Sequence, residues 1–297
     1  MLDGVSGRVV RSSTSKNIHR LDSGFQGNSP LTGTTWMGRL HLFEWEDQPW
    51  LAQSLRDFVT DHLRFTLSSV NFAPMHMAIA DILLPLLAQS GVSHIVDTCS
   101  GGGGLWSALL PILRERSGLD VTVCMTDLFP HATALRQIER ESGHAITFSA
   151  EPVSAFDVPP ELGSFQTLFT AFHHFRPDDA CALLADACTK RRTIVVVEPY
   201  SRKDAVGVAL GSLIGGIVLT PFIPGMGWKR FLWTYPIPLS AAVLAWDGVV
   251  SCLRAYSAEE MLALAKSVDD GGYRWRAGQQ AVSGGRSITY LVGEPIL

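Results

Sequence analysis

The stretch IVDTCSGGGG at residues 95–104 sets an acid just ahead of four consecutive glycines, after a short apolar run and before a helical pattern. Glycines let the backbone approach a ligand with no side chain in the way. N–H groups at a helix start can meet a carboxylate or a phosphate. Asp97 precedes the glycines, a position that suits an ammonium partner better than a pyrophosphate, and the dinucleotide spacing GxGxxG is not cleanly present. Asp127 closes the next apolar run, VTVCMTD. An acid there can accept both ribose hydroxyls, or it can simply cap the helix that follows. Leu128 or Phe129 beside it would line an adenine. A third group is FTAFHHF (169–175), with two adjacent histidines leaving an apolar run. Because side chains alternate, one of two adjacent histidines leaving a strand faces the pocket, where a neutral imidazole can take a proton near pH 7. His173 is the favoured base and His174 the second choice. Either could instead only orient the loop. Glu198 and Tyr200 end the next run and are nominated for substrate contact.

Aromatic residues are dense outside these motifs: Trp45, Trp50, Phe222, Trp228, Trp233, Tyr235 and Trp246. They read as an aromatic wall against a cation or a planar apolar substrate, or as packing between helices. Trp50, Phe172 and Trp233 are the candidates for substrate contact. Arg64 and Arg254, in apolar surroundings, need a carboxylate partner; Glu44, Glu46 and Asp47 are within the choice.

Elements that could position these groups follow from periodicity. Residues 49–67 carry Leu51, Leu55, Phe58, Val59, His62, Leu63 and Thr66 at helical spacing, and a second helix after Pro74 has Met77, Ile79, Ile82, Leu83, Leu86 and Leu87 as its core side. From Ser93, short apolar runs alternate with helical segments: strands at 93–97, 121–127, 145–149, 165–172 and 192–199, helices at 105–116, 131–141 and 178–189. A helix at 258–268, introduced by a Ser257/Glu260 capping box, and strands at 273–277 and 287–292 complete the pattern. Such alternation predicts an α/β fold with a parallel sheet and helices on both faces. The expected organisation is a flexible tail (1–35), an N-terminal helical cap (36–90), a Rossmann-like domain (91–202 and 256–297) and an apolar helical insertion (203–255).

That insertion has no charged residue from Ala205 to Gly227 and none from Phe231 to Trp246. Length permits a membrane helix at 205–223. The favoured reading is a buried helix pair forming a lid over the substrate; the other is a membrane-contacting hairpin. Composition narrows the rest. Hydrophobic residues are 46% and charged residues 18%, with a formal net charge of -4. No basic run suggests nucleic acid. The five cysteines form no CxxC pair, so no zinc site, other metal centre or disulfide framework is expected. The N-terminus lacks the apolar region of a signal peptide. The expected location is cytoplasmic, or membrane-associated if 205–246 contacts lipid. Nothing fixes the oligomeric state.

Together these motifs resemble class I S-adenosylmethionine (SAM)-dependent methyltransferases. VDTCSGGG matches the family's first motif through Asp97, Gly101 and Gly103, although Cys99 stands where a glycine is usual. Asp127 falls on the ribose-binding acid. EPVSAFDVP (151–159) resembles the adenine-binding segment, with Ser154 and Ala155 as contacts and Asp157 if the register slips. FTAFHHF is similar to the family's LHH at the methyl-transfer mouth, and VVVEP (195–199) to its strand-5 ending. The resemblance covers residues 70–200 plus the C-terminal strands. LFEWEDQPW (42–50) and WDGVVSCLRAYSAEE (246–260) resemble a bacterial branch of the superfamily with no substrate attached. The resemblance implies a seven-stranded, mostly parallel sheet, with SAM held by Asp97, Ser100, Gly101, Gly103, Asp127, Leu128, Ser154, Ala155 and Thr170. It implies methyl transfer to O, N or C of a small, apolar or aromatic molecule, releasing S-adenosylhomocysteine. Two alternatives stand beside it: other chemistry on a SAM-binding fold, such as cyclisation or elimination, and a non-enzymatic membrane-associated protein with a degenerate fold.

Overall fold

A computed structural model describes residues 38–296 apart from Pro49, His131, Met226, Gly284 and Gly285. The expected tail at 1–35 and the element start near Trp36 lie outside the described residues. The chain divides into a unit of residues 1–36 and a unit of residues 37–297, and every element described below belongs to the second.

Seven strands form one sheet: β1 (His94–Thr98), β2 (Thr122–Thr126), β3 (Ile146–Phe148), β4 (Phe165–Phe169), β5 (Thr193–Glu198), β6 (Tyr273–Val282) and β7 (Arg286–Pro295). Their order is β3-β2-β1-β4-β5-β7-β6. β1 to β5 are parallel, and β7 runs antiparallel to both β5 and β6. Helices α1 (Gln53–Leu67), α2 (Ala73–Ser90), α3 (Gly104–Ser117), α4 (Ala132–Glu141), α5 (Pro177–Thr189), α6 (Ala205–Val218), α7 (Trp228–Thr234), α8 (Leu239–Arg254) and α9 (Ala258–Val268) surround it. This is the expected seven-stranded, mostly parallel Rossmann-like architecture.

Strand alternation builds two cores. Ile95, Val195 and Val197 face a layer of α2 and α3 that includes Leu83, Leu87 and Trp106. Leu168, Ile194 and Val196 face α5 and α9, packing with Leu183, Leu184 and Met261. Central strands covered on both faces read as continuous apolar runs, which is why their positions are legible. The Ser257 hydroxyl accepts the Glu260 N–H at 3.2 Å, and the Glu260 carboxylate accepts the Ser257 N–H at 2.7 Å, so the expected capping box starts α9. The sheet ends differ in character. β3 is three residues long, while β6 places Arg274, Arg276 and Gln279 at exposed positions.

Several expectations are corrected. The fourth strand ends at Phe169, not 172, and Phe172–His174 form a 3-10 turn. The last two strands extend to ten residues each. Leu63 and Met77, placed on core faces by periodicity, are exposed. The insertion forms three helices, and α6 buries only Gly216, so it is not the buried half of a helix pair. With 14 residues, α6 is about 21 Å long, short of the roughly 30 Å of a bilayer's hydrocarbon core. Among the described residues, one helical stretch is long and apolar enough by itself to span, Val70–Ser90, half of it buried, and α7 and α8 pass the same test only together, bent by 66°; α2 within the first belongs to the core of the sheet.

Candidate active site

Three loops meet at the carboxyl ends of β1, β2 and β3. After β1 the backbone turns left-handed at Cys99 (φ 57), Gly101 (φ 52) and Gly103 (φ 67). Cys99 therefore adopts the conformation its usual glycine would, at a cost of about 1–2 kcal/mol for an L-residue. The residue is half-buried, and desolvation pushes its thiol pKa up. The Ser100 N–H donates to the Thr126 carbonyl at 3.0 Å, tying the loop to β2. Asp97 is 3% exposed. It accepts hydrogen bonds from the Ser100 hydroxyl and the Thr167 hydroxyl, each at 2.6 Å. Burial raises its carboxyl to about 6, against the pull of those two hydroxyls.

Asp127 organises the neighbouring loops. It accepts the Gly101 N–H and the Phe129 N–H, both at 2.9 Å, and its carbonyl accepts the Val153 N–H at 3.0 Å. The 151–157 segment is thereby held beside Asp127. Leu128 and Phe129 are exposed there. Ser154 accepts the Phe156 N–H at 3.2 Å, and Ala155 is buried in the apolar cluster that Cys99 joins. Asp157 turns away to an ion pair with Lys190 at 2.7 Å, which removes it as the alternative adenine contact. A Cβ at Gly101 would meet open space, whereas one at Gly104 would lie 2.5 Å from the Arg64 carbonyl oxygen. The loop is thus open at Gly101 and roofed by α1 farther along. An acid with exposed apolar neighbours, beside a glycine with open space above it, fits the nucleoside half of SAM.

On the other side of α1 lies a cavity of about 610 Å³. It brings together Thr170, His173, His174, Glu198 and Tyr200 of the predicted residues. Thr170 has φ 56, an outlier for a β-branched residue and a mark of local strain. Its N–H donates to the Val197 carbonyl at 2.9 Å, which fixes the corner between β4 and β5. His173 is 6% exposed. Its Nδ1 lies 2.9 Å from Glu198 Oε2, and its backbone N–H donates to Glu198 Oε1 at 3.0 Å. A carboxylate on Nδ1 requires the proton there, leaving the Nε2 lone pair free. Nε2 is buried and has no hydrogen-bond partner.

The turn carrying these histidines is clamped from residues before α1. The Arg39 guanidinium donates to the carbonyls of His173 at 3.1 Å, Phe175 at 2.8 Å and Arg254 at 2.6 Å, and it stacks 4.0 Å over the Tyr256 ring. The backbone N–H groups of Trp45 and Glu46 donate to Asp247 of α8 at 2.7 and 3.1 Å. Arg254 pairs with Glu44 at 3.3 Å and Asp47 at 2.8 Å, and His174 lies 3.4 and 3.3 Å from the same two acids. Burial lifts Glu44 to about 7. Asp47 is held near 2 despite partial burial, through His174 and Arg254. Glu44, His173 and His174 bring candidate metal-ligand atoms within 4.8 Å of one another. The Arg254 guanidinium already neutralises this cluster, which reads as an ion-pair network.

Three predicted substrate contacts are corrected. Phe172 is fully buried, with its ring 5.3 Å from that of Tyr256, because the chain leaves β4 before it. Trp50 is exposed and packs edge-on to Trp45, while Trp233 is half-buried away from the cavity lining. Trp45 and Trp246 both pack on Phe43, so this part of the aromatic wall joins the segment before α1 to α8. Glu44, His62, Lys203, Asp247 and Arg286 also line the cavity and were not nominated as site residues. A signal existed for Asp247, the lone acid of a mostly apolar α8. Arg254 finds two of its proposed acids; Arg64 pairs instead with Asp61 at 3.5 Å.

No family model and no curated protein matches the chain. Solved structures do. An O-methyltransferase from neocarzinostatin biosynthesis, in complex with S-adenosyl-L-homocysteine and 1,4-dihydroxy-2-naphthoic acid, is 17% identical with a TM-score of 0.42, over 70% of this chain and 50% of that one. An O-methyltransferase family protein from Burkholderia thailandensis is 14% identical with a TM-score of 0.43, over 75% and 57%. The mitomycin 7-O-methyltransferase is 15% identical with a TM-score of 0.42, over 81% and 55%. The chain spans about half the length of these structures, and the likeness is one of fold.

Proposed function

We propose that this protein is a SAM-dependent methyltransferase acting on a small, apolar or aromatic molecule. The observation that carries this reading is the juxtaposition of two sites at the carboxyl edge of one sheet. One is a glycine loop with Asp97 and Asp127 that fits a nucleoside with an amino acid tail. The other is a cavity lined by His173, whose Nδ1 is held by Glu198 and whose Nε2 has no hydrogen-bond partner. The O-methyltransferases of similar fold, one of them solved with a naphthoic acid, are in keeping with it. SAM, when bound, supplies an electrophilic methyl group on a sulfonium.

The chain's own work would then be positioning and proton removal. Asp127, fixed by the Gly101 N–H, holds the ribose end, Ser154 and Leu128 flank the adenine, and Asp97 faces the ammonium. His173 takes the proton from an acceptor O–H or N–H onto Nε2 as the acceptor attacks. Glu198 fixes the tautomer and stabilises the imidazolium that forms. Arg39 holds the turn so that this geometry persists.

Calorimetric titration with SAM and with S-adenosylhomocysteine tests the cofactor site. Binding of both supports the reading, and binding of neither overturns it. Two variants separate the sites. Asp127→Ala is expected to weaken SAM binding by roughly tenfold or more, the loss of hydrogen bonds to a charged group. His173→Ala is expected to leave SAM affinity unchanged and slow turnover by about 10²- to 10⁴-fold. Unchanged affinity in Asp127→Ala would misplace the ribose.

A further inference from the structure

Helix α6 is oriented the reverse of an ordinary surface helix. Gly207, Gly211 and Gly215 recur at four-residue spacing and line the cavity. A Cβ at Gly207 or Gly211 would meet nothing within 4 Å. The large side chains point the other way: Val206, Leu210, Ile214 and Val218 are each more than half exposed. The face continues through Phe222, Trp228 and Phe231, also more than half exposed. Contiguous apolar surface of this kind marks a site that something apolar covers.

Charge decides between the occupants. From Ala205 to Trp246 the sequence holds two charged residues, Lys229 and Arg230, and no acid. Arg230 is engaged with Asp61. Lys229 is exposed, with its ammonium 5.9 Å from the Trp228 ring. A symmetric contact with a second copy would set this patch against itself, cation against cation with no acid to answer. An anionic leaflet supplies the missing charge, and tryptophan beside lysine suits the level of the headgroups. A helix too short to span can lie in the interface with its apolar face among the acyl chains.

We propose that the outward face of α6, continued by Phe222, Trp228 and Phe231, docks on an anionic lipid bilayer. The test is flotation of the full chain with vesicles of phosphatidylcholine alone and of phosphatidylcholine mixed with phosphatidylglycerol. The expected result is flotation with the mixed vesicles, roughly tenfold weaker on the neutral ones, and release as salt shortens the Debye length. The variant Ile214→Asp/Trp228→Ser is expected to stay in solution, with its melting temperature and S-adenosylhomocysteine affinity unchanged. Lys229→Glu leaves the apolar face intact and is expected to weaken flotation on mixed vesicles alone. Absence of flotation on mixed vesicles, or equal flotation on both compositions, overturns the proposal. So does sedimentation as a dimer that the Ile214→Asp/Trp228→Ser variant converts to monomer, since the face would then be a contact between copies.

Discussion

Asp97 titrates near 6 because burial outweighs the two hydroxyls that favour its ionised form. Seated beside it as proposed, the ammonium of SAM would favour that form further, so that binding releases a proton wherever the free protein still holds one. The sign follows: affinity is weak below pH 6, rises as pH increases through about 6, and levels off above it. Titration of the wild type from pH 5 to 8 checks this, and Asp97→Asn is expected to be flat over the same range. Such a residue was legible from its place before the glycines. Cys99 was legible only as a departure. That it takes the left-handed turn of a glycine depends on the Ser100 tie to β2, which no local spacing encodes. Phe172 was misread because the strand stops three residues early, and alternation says nothing once the backbone enters a turn. Glu44 and Asp47 reach the histidines from more than a hundred residues away in sequence, so only their need for a cation was visible.

At the scale of elements, strands and helices of the sheet were readable because their burial pattern repeats along the chain. The seating of one element on another was not. Gly104 is a case: its lack of a side chain lets the Arg64 carbonyl of α1 come against α3. Gly104→Ala is therefore expected to push α1 off the loop and to destabilise by about 1–3 kcal/mol, read as a lowered melting temperature with weakened SAM binding. At Gly211 the situation is opposite, since the added side chain enters the cavity. Gly211→Phe is expected to raise the KM for the acceptor, or abolish turnover, while SAM affinity by calorimetry stays within about twofold, as for sites without shared partners. A loss of SAM affinity there would argue that the cavity is part of the cofactor site. The orientation of α6 was the least legible feature of all. Apolar residues on a helix show an apolar face but not what covers it, and burial was assumed where the structure exposes it.

For the molecule as a whole, the clamp formed by residues 39–47 couples fold stability to pH. Glu44 is 1% exposed and titrates near 7, above its ordinary range. The folded state then binds more protons than the unfolded chain between about 4.5 and 7, and stability from this group falls as pH rises through that window. Asp47, held near 2, acts in the other direction, contributing stability that is lost only as pH falls below the ordinary carboxylate range. Burial raises Glu46 of the same clamp to about 8, so Glu44→Gln is expected to lessen the fall of the melting temperature between pH 5 and 8 without abolishing it; an unaltered slope would show that Glu44 is not among its sources.

The two ends of the sheet bear on how the chain behaves in a crowd. An open strand edge is a template for another chain, and long, flat, apolar edges are the ones that nucleate aggregates. Here β3 offers only three residues of edge, and β6 offers ten but lines them with arginine and glutamine. Desolvating guanidinium groups against the same groups on a neighbour makes strand addition unfavourable at the β6 end, and the β3 end is short. Refolding yield at high protein concentration should therefore be governed by the apolar helices outside the sheet, and Arg274 and Arg276 act as gatekeepers for a strand that would otherwise recruit its own kind.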